Sequence, residues 1–293
     1  MAQSLFVTGA SGNTGRAFLD LLFRSGDSRG AEVRCLVLPG DPAGDLSGYP
    51  VSTAEGDARD PRAVGRAYGG EETIVHISSI FHSPAVIEGC RGAGRIVVVS
   101  STGRFSRYRD TAGEIAGAEE AVERSGLSWT ILRPTMIYGS GRDRNISKLI
   151  RLISRSRIVP LPGGGSSLFQ PVTSRDLAGC ILSCLGTPAS EGRAYNISGG
   201  SVHSLKEIVR MSAGMIGRRV LTPAVPLGAA ILLLKAAEKA GASVPVRPEQ
   251  VLRLLEDKVF DHREAAEDLG FSPVSFPEGL REQIEEMGLA GPG

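Results

Sequence analysis

The chain has 293 residues, long enough for one large domain or two modest ones and for a substantial buried core. Its 33 basic and 32 acidic residues leave no net-charge argument for nucleic acid or an anionic membrane as partner. The four cysteines, Cys35, Cys90, Cys180 and Cys184, form neither a disulfide framework nor a metal-site pattern, so no metal is expected and a reducing cytoplasm is the expected compartment.

In chain order, the apolar run Leu5–Thr8 predicts a strand so close to the start that no charged-then-apolar leader is expected before it. It leads into Gly9-Ala10-Ser11-Gly12-Asn13-Thr14-Gly15 and a helix over Thr14–Arg24. Glycines let the backbone turn sharply and approach a phosphate, and the helix start offers unsatisfied N–H groups with the positive end of its dipole. Strand, glycine turn and helix in this order are the context a dinucleotide site demands. Further strands are expected at Glu32–Leu38, Val51–Glu55, Thr73–Ser78, Arg95–Ser100 and Ser128–Arg133, alternating with helices at Asp60–Tyr68, Pro84–Gly92 and Ala112–Ser125. That alternation implies an α/β fold, a Rossmann-type doubly wound parallel sheet with ligands at the carboxyl ends of its strands.

Beyond Pro134 the pattern predicts a helix over Arg144–Ser156, the turn Pro162-Gly163-Gly164-Gly165, a helix over Ser174–Leu185 and a strand at Ala194–Ser198. Helices follow at Ser204–Ile216, Leu227–Ala240, Pro248–Glu256, Arg263–Leu269 and Pro277–Met287. We read residues 1–138, completed by 168–198, as the nucleotide lobe, and 139–167 with 199–293 as a smaller, mainly helical substrate lobe closing over the sheet. The apolar run Val225–Leu234 is too short to span a bilayer before Lys235 and Glu238, so no membrane partner is expected.

Several segments occur in an order that resembles the short-chain dehydrogenase/reductase superfamily, in its extended or atypical branch of sugar-nucleotide epimerases and related NAD(P)-binding proteins. They are Thr8-Gly9-x-x-Gly12-x-x-Gly15, Gly56-Asp57, Val99-Ser100-Ser101-Thr102, the run Leu132–Gly139, Gln170-Pro171-Val172 with Asp176, Tyr195–Gly199, and Leu269-Gly270-Phe271-x-Pro273 with Glu278-Gly279-Leu280. The resemblance implies a bound NAD or NADP, with Gly9, Ser11, Gly12, Asn13, Thr14 and Gly15 at the pyrophosphate and Asp57 and Ala58 at the adenine. It places Ile77, Ser78 and Ser79 along the ribose and nicotinamide, Ser100 at the close of the fifth strand, and Pro134, Thr135 and Ile137 near the nicotinamide ring.

Active members of that superfamily carry a Ser or Thr, a Tyr, and a Lys four residues after the Tyr, whose charge lowers the phenol's pKa for proton transfer. Thr102 fits the first role. No Tyr precedes any of the five lysines by four residues, and counting back from Glu119-Glu120 places Thr111 and Ile115 at the dyad positions. The scarcity of lysine beside twenty-eight arginines does not explain this, since an arginine is too basic to relay a proton and Ile115 is not basic at all. Tyr108, between Arg107 and Arg109, and His82 are the candidate substitutes, with Glu114 a weaker one.

The second strand closes on Leu38-Pro39-Gly40-Asp41, where Asp41 favours NAD and Arg16 or Arg34 favours NADP, so both cofactors stay open. Arg144, Asn145 and Gln170 are candidate substrate contacts, in a basic stretch suited to an anionic or nucleotide-linked small molecule. Two functions follow: an NAD(P)-dependent oxidoreductase or epimerase acting on a hydroxyl-bearing small molecule with a non-standard proton relay, or a non-catalytic NAD(P)-binding sensor or assembly subunit. The oligomeric state does not follow from the sequence.

Overall fold

The computed structural model describes residues 3–24, 30–41, 44–107, 109–143, 145–226, 228 and 254–291. By compactness the chain divides into one unit of Met1–Pro134, Ser174–Ile197 and Asp261–Ser272 and a second of Thr135–Thr173, Ser198–Phe260 and Pro273–Gly293.

The first unit is built on strands β1 (Ser4–Thr8), β2 (Glu32–Val37), β3 (Ser52–Glu55), β4 (Thr73–His76), β5 (Arg95–Val99) and β6 (Ser128–Pro134), with a seventh strand at Arg193–Ile197. Their spatial order is the seventh strand, β6, β5, β4, β1, β2, β3, and every pair is parallel. This is the expected α/β sheet. Runs such as Leu5-Phe6-Val7 and Ile96-Val97-Val98 are apolar on both faces because helices cover both sides of a parallel sheet. The chain travels outward from β1 through β2 to β3 and then returns to β4 on β1's other side. The carboxyl ends of β1 and β4 therefore flank the point where strand order reverses, the place where such sheets open a crevice.

Helices α1 (Asn13–Arg24), α2 (Pro61–Ala67), α3 (Ser83–Gly89) and α4 (Arg109–Glu123) lie within a residue to a few residues of their expected bounds. The start of α2 is fixed locally: the Asp60 carboxylate accepts from the Arg62 amide at 2.9 Å, and Pro61 occupies the first turn, where no N–H is needed. The helix Ser174–Gly186 packs on α1. Tyr195 Oη donates to Asp268 at 2.8 Å, tying the helix Arg263–Leu269 to the seventh strand, so this segment, expected in the second lobe, belongs to the first unit. All four cysteines are buried; burial pushes the Cys35 and Cys90 thiols up to about 12, and the described residues hold no metal-ligating cluster.

Glu119 joins α4 to the carboxyl ends of β5 and β6. Its fully buried carboxylate accepts from Arg133 at 2.8 Å and from the Ser100 hydroxyl at 2.6 Å, and it forms an ion pair with Arg104 at 3.0 Å. The Arg133 guanidinium also lies over the Phe105 ring, 5.6 Å from its centroid. One carboxylate thus holds the turn Thr102–Phe105 against the sheet.

The second unit carries α5 (Ile146–Arg155) and the helices Leu205–Met215 and Phe276–Glu286, the last two opened by the capping boxes Ser204/Glu207 and Ser275/Glu278. It is less purely helical than expected. Ile137–Tyr138 pairs with Val172–Thr173, Leu168–Phe169 with His203–Ser204, and Leu161–Pro162 with Ala224–Val225. Two-residue ladders are too short to leave an alternation in sequence, which is why they went unread. Tyr138, Ile150, Phe169, Ile208, Phe276 and Leu280 form this unit's core. A Cβ at Gly279 would overlap the Tyr138 hydroxyl, so only glycine lets that helix approach the ring. The helix expected at Leu227–Ala240, and most of that at Pro248–Glu256, lie outside the described residues; residues 254–256 form a turn. Among the described residues no helix is long and apolar enough to cross a membrane.

Removing the acid that holds two arginines leaves buried positive charge without its counterion, a loss that typically costs about 3 kcal/mol. Glu119→Ala should therefore lower unfolding free energy by roughly that amount in urea titration, whereas Glu120→Ala, at an exposed site on the same helix, should change it by under about 0.5 kcal/mol.

Candidate functional site

The glycine loop follows from β1's end. Gly9 has φ +77°, a left-handed conformation that suits glycine, and a Cβ on it would lie 2.6 Å from the Ser78 amide nitrogen. At Gly15 a Cβ would overlap Gly9 O and stand 2.6 Å from Ala10 Cα, so helix and strand meet only through glycine. Gly12 differs: it is exposed, and a Cβ there would meet only Gly9 O, at 3.3 Å. Its missing side chain keeps open the space in front of the first amides of α1, which have no partners inside the helix. A closed turn behind, an open glycine in front and a helix start between them fit a dinucleotide pyrophosphate.

Charged groups flank the loop. The Ser11 hydroxyl donates to Asp41 Oδ2 at 3.0 Å; Arg16 Nε donates to Ser11 O at 3.2 Å and its Nη2 to Asp45 O at 3.0 Å. The acid and the base weighed for cofactor choice therefore both stand beside Ser11. Arg34 does not: it pairs with Glu71 at 2.8 Å, just ahead of β4 and so toward the amino end of the sheet, and is withdrawn as a phosphate ligand.

Beneath the loop lies a residue that the motif reading missed. His76, at the last position of β4, is fully buried. Its Nε2 lies 3.1 Å from Ser79 O, and because a carbonyl can only accept, Nε2 carries the proton. Nδ1 is then the acceptor for Thr8 Oγ1 at 2.7 Å, with Ser78 Oγ at 3.3 Å. Burial drives its pKa from 6.5 to about 3, so the ring is a neutral clamp at ordinary pH. It joins the residue before Gly9 to the Ile77-Ser78-Ser79 turn, whose three residues are partly or fully exposed. A polar ring following Ile74-Val75 at the end of a strand, one residue short of Ser78-Ser79, was the available signal.

The other expected residues of the first unit stand as follows. Asp57, at the close of β3, is held by Arg59 at 2.6 Å, and these hydrogen bonds bring its carboxyl down to about 2. Ala58 packs partly buried against the core. His82 ends the turn Ile80–His82; burial lowers its pKa, against the pull of Asp57, and its Nδ1 has no partner. The Ser100 hydroxyl is committed to Glu119. Thr102 is buried and its hydroxyl donates to Pro134 O at 3.2 Å. Of the two residues that counting back from Glu119-Glu120 points to, Ile115 is a core residue against the sheet and Thr111 is half-buried. Tyr108 lies outside the described residues.

In the second unit, Thr135 donates to Gln170 O at 2.5 Å, and Ile137 is half-buried. The Gln170 amide is occupied at both ends: Nε2 donates to Gly199 O at 2.8 Å and Oε1 accepts from the Phe260 amide at 3.2 Å. Through these two bonds it holds three chain segments together. Asn145 is exposed, with Nδ2 donating to Ile137 O at 3.3 Å. Arg144 lies outside the described residues.

Residues 9–188, more than half of the chain, match the profile of a protein family described as NAD(P)H-binding. An NAD(P)H azoreductase of Xenophilus azovorans is 25% identical over 232 residues, 76% of this chain and 77% of that protein. The chain spans less than half the length of several other curated relatives it matches, 40% in one case. Among solved structures, the triphenylmethane reductase of Citrobacter sp. complexed with NADP(H) has a TM-score of 0.76 at 18% identity, over 95% of this chain and 99% of that one. MoeE5 in complex with UDP-glucose and NAD has a TM-score of 0.75 at 21% identity, over 97% and 98%. At these identities the structures establish the fold.

The neutral burial of His76 sets a pH dependence. Unfolded, the ring titrates near 6.5; folded, it resists protonation until about 3. Its contribution is therefore fully present above about pH 6.5 and lost as pH falls toward 3, at up to about 1.4 kcal/mol per pH unit. Urea unfolding between about pH 4 and 7 should show a steeper acid loss for the native chain than for His76→Asn; equal slopes would contradict the clamp.

Proposed function

Because the chain belongs to the NAD(P)H-binding family, we propose that it is an NAD(P)H-dependent reductase of electron-poor, conjugated small molecules. The nicotinamide, when bound, supplies two electrons and one hydrogen, and the second proton comes from solvent. The residues that hold the cofactor in this reading are Gly9, Gly12 and Gly15 with the first amides of α1 at the pyrophosphate. Ser11, Asp41 and Arg16 stand at the adenosine ribose side, Asp57 and Ala58 at the adenine, and Ser78 and Ser79 along the ribose toward the nicotinamide.

The observation that carries the direction of reaction is the Thr102 hydroxyl, whose proton is already donated to Pro134 O. Removing a proton from a substrate alcohol needs a base tuned toward neutrality, and Thr102 in that bond offers neither a base nor a free donor. Ser100 is likewise committed to Glu119, and Ile115, which counting back from Glu119-Glu120 assigns to the lysine position, is buried in the core. Reduction of a conjugated acceptor places less demand on these side chains, since a delocalised product takes its proton from water. The relative named an azoreductase and the neighbour named a triphenylmethane reductase support the same acceptor class. The epimerase reading, acting on a hydroxyl-bearing sugar nucleotide, asks more of a site with these partners.

Purified protein should oxidise NADH or NADPH in the presence of at least one of an azo dye, a triphenylmethane dye or a quinone. Thr102→Val should keep that activity within about threefold, since a true acid–base residue is worth about 100-fold or more. Gly12→Val should leave the melting temperature of the free protein nearly unchanged yet abolish both turnover and the rise in melting temperature that the cofactor confers. Conversion of UDP-glucose that collapses in Thr102→Val would overturn the reading in favour of the epimerase. Tight cofactor binding without turnover of any acceptor would overturn it in favour of a binding role.

A further inference from the structure

The near-zero net charge hides a segregation within the second unit. Residues 144–173 and 208–237 contain no Asp or Glu and together carry nine Lys or Arg. Parts of both stretches meet on the surface. Helix α5 buries Ile146, Ile150 and Ile153 and turns Lys148, Leu152 and Arg155 outward. Just past its end, Arg157 O accepts from the Leu221 amide at 2.8 Å and Leu221 O from the Val159 amide at 2.9 Å, so that Ile158 and Leu221 are bridge partners. Arg218 and Arg219, also exposed, stand three and two residues before Leu221.

Within this basic surface are three of the chain's exposed large aliphatic residues, Leu152 at 46%, Ile158 at 53% and Leu221 at 69%. None of Arg155, Arg157, Arg218 and Arg219 is ion-paired among the described residues. Ordinary solubility does not call for aliphatic side chains at these exposures side by side in a backbone bridge.

We propose that this face docks the protein peripherally on an anionic phospholipid surface. Arginines would meet the headgroup phosphates while Ile158, Leu221 and Leu152 enter the headgroup–acyl boundary, the division of labour that interfacial segments use. A second copy of the chain fits poorly, because a self-complementary interface would place this cationic face against itself. Nucleic acid would answer the charge but has no use for three aliphatic side chains, and the patch has no aromatic ring on which a base could stack. None of these residues is among those assigned to the cofactor, so the proposal stands whether or not the reductase reading does.

The test is flotation of the full chain with vesicles of phosphatidylcholine alone or with about one-third phosphatidylglycerol. Binding should appear only with the anionic vesicles and weaken as salt is raised. Each basic residue held at such a surface is worth about fivefold in partitioning, so Arg155→Ser/Arg218→Ser/Arg219→Ser should reduce it on the order of 100-fold. Ile158→Ser/Leu221→Ser should reduce it at unchanged charge, which a purely electrostatic contact would not show. Both variants should keep the cofactor-induced rise in melting temperature, showing that they fold. Equal flotation on neutral and anionic vesicles, no flotation at all, or binding indifferent to both variants would overturn the proposal. So would a patch that in these assays binds only DNA or RNA fragments, or whose variants alter only the sedimentation of the protein with itself.

Discussion

The nucleotide half of this molecule depends on how closely β1 can end against β4. Gly9 brings its Cα to the Ser78 amide at a separation that leaves no room for a Cβ, and Gly15 does the same for α1 against the strand it follows. Those approaches place the start of a helix, whose first amides have no partners within it, at the reversal of strand order. His76 secures the same junction from below. Its bonds to Thr8 and Ser79 tie the two strand ends together without introducing a charge into the sheet. Steric closeness and a neutral hydrogen-bond clamp therefore precede any contact with cofactor.

A second anchor, Glu119, governs the neighbouring carboxyl ends. By receiving Arg104, Arg133 and Ser100 it fixes the turn that begins at Thr102. The consequence is chemical as well as mechanical, since hydroxyls that would otherwise be free to face a ligand are already donors to protein groups. Committed hydroxyls near a glycine loop shaped to fit a pyrophosphate are the ground on which we propose hydride delivery to a reducible acceptor over proton movement on an alcohol.

Much of this was legible from sequence. Strands buried on both faces appear as continuous apolar runs, and the glycine spacing with its strand and helix context pointed to the loop. Asp60-Pro61 announced the helix that it caps. What could not be read depends on partners far along the chain. Gln170 resembled a cleft residue until its amide was seen bonded to Gly199 and Phe260, and Arg34 resembled a phosphate ligand until Glu71 claimed it. The Thr102 hydroxyl, too, is donated to a partner distant in sequence, Pro134 O. Net charge is silent in a related way: a total of +1 does not reveal where along the chain cations and exposed aliphatic side chains gather.

The most direct test of the central claim, that the Gly9–Gly15 loop above the His76 clamp holds the dinucleotide, is a crystal structure of the protein grown with NADP(H) or NAD(H). The account predicts pyrophosphate oxygens about 3 Å from the amides at the start of α1, in front of Gly12, with Gly9 and Ser78 still in contact. An ordered nucleotide whose phosphates lie elsewhere, or a loop whose Gly9–Ser78 contact opens to admit it, would contradict the account.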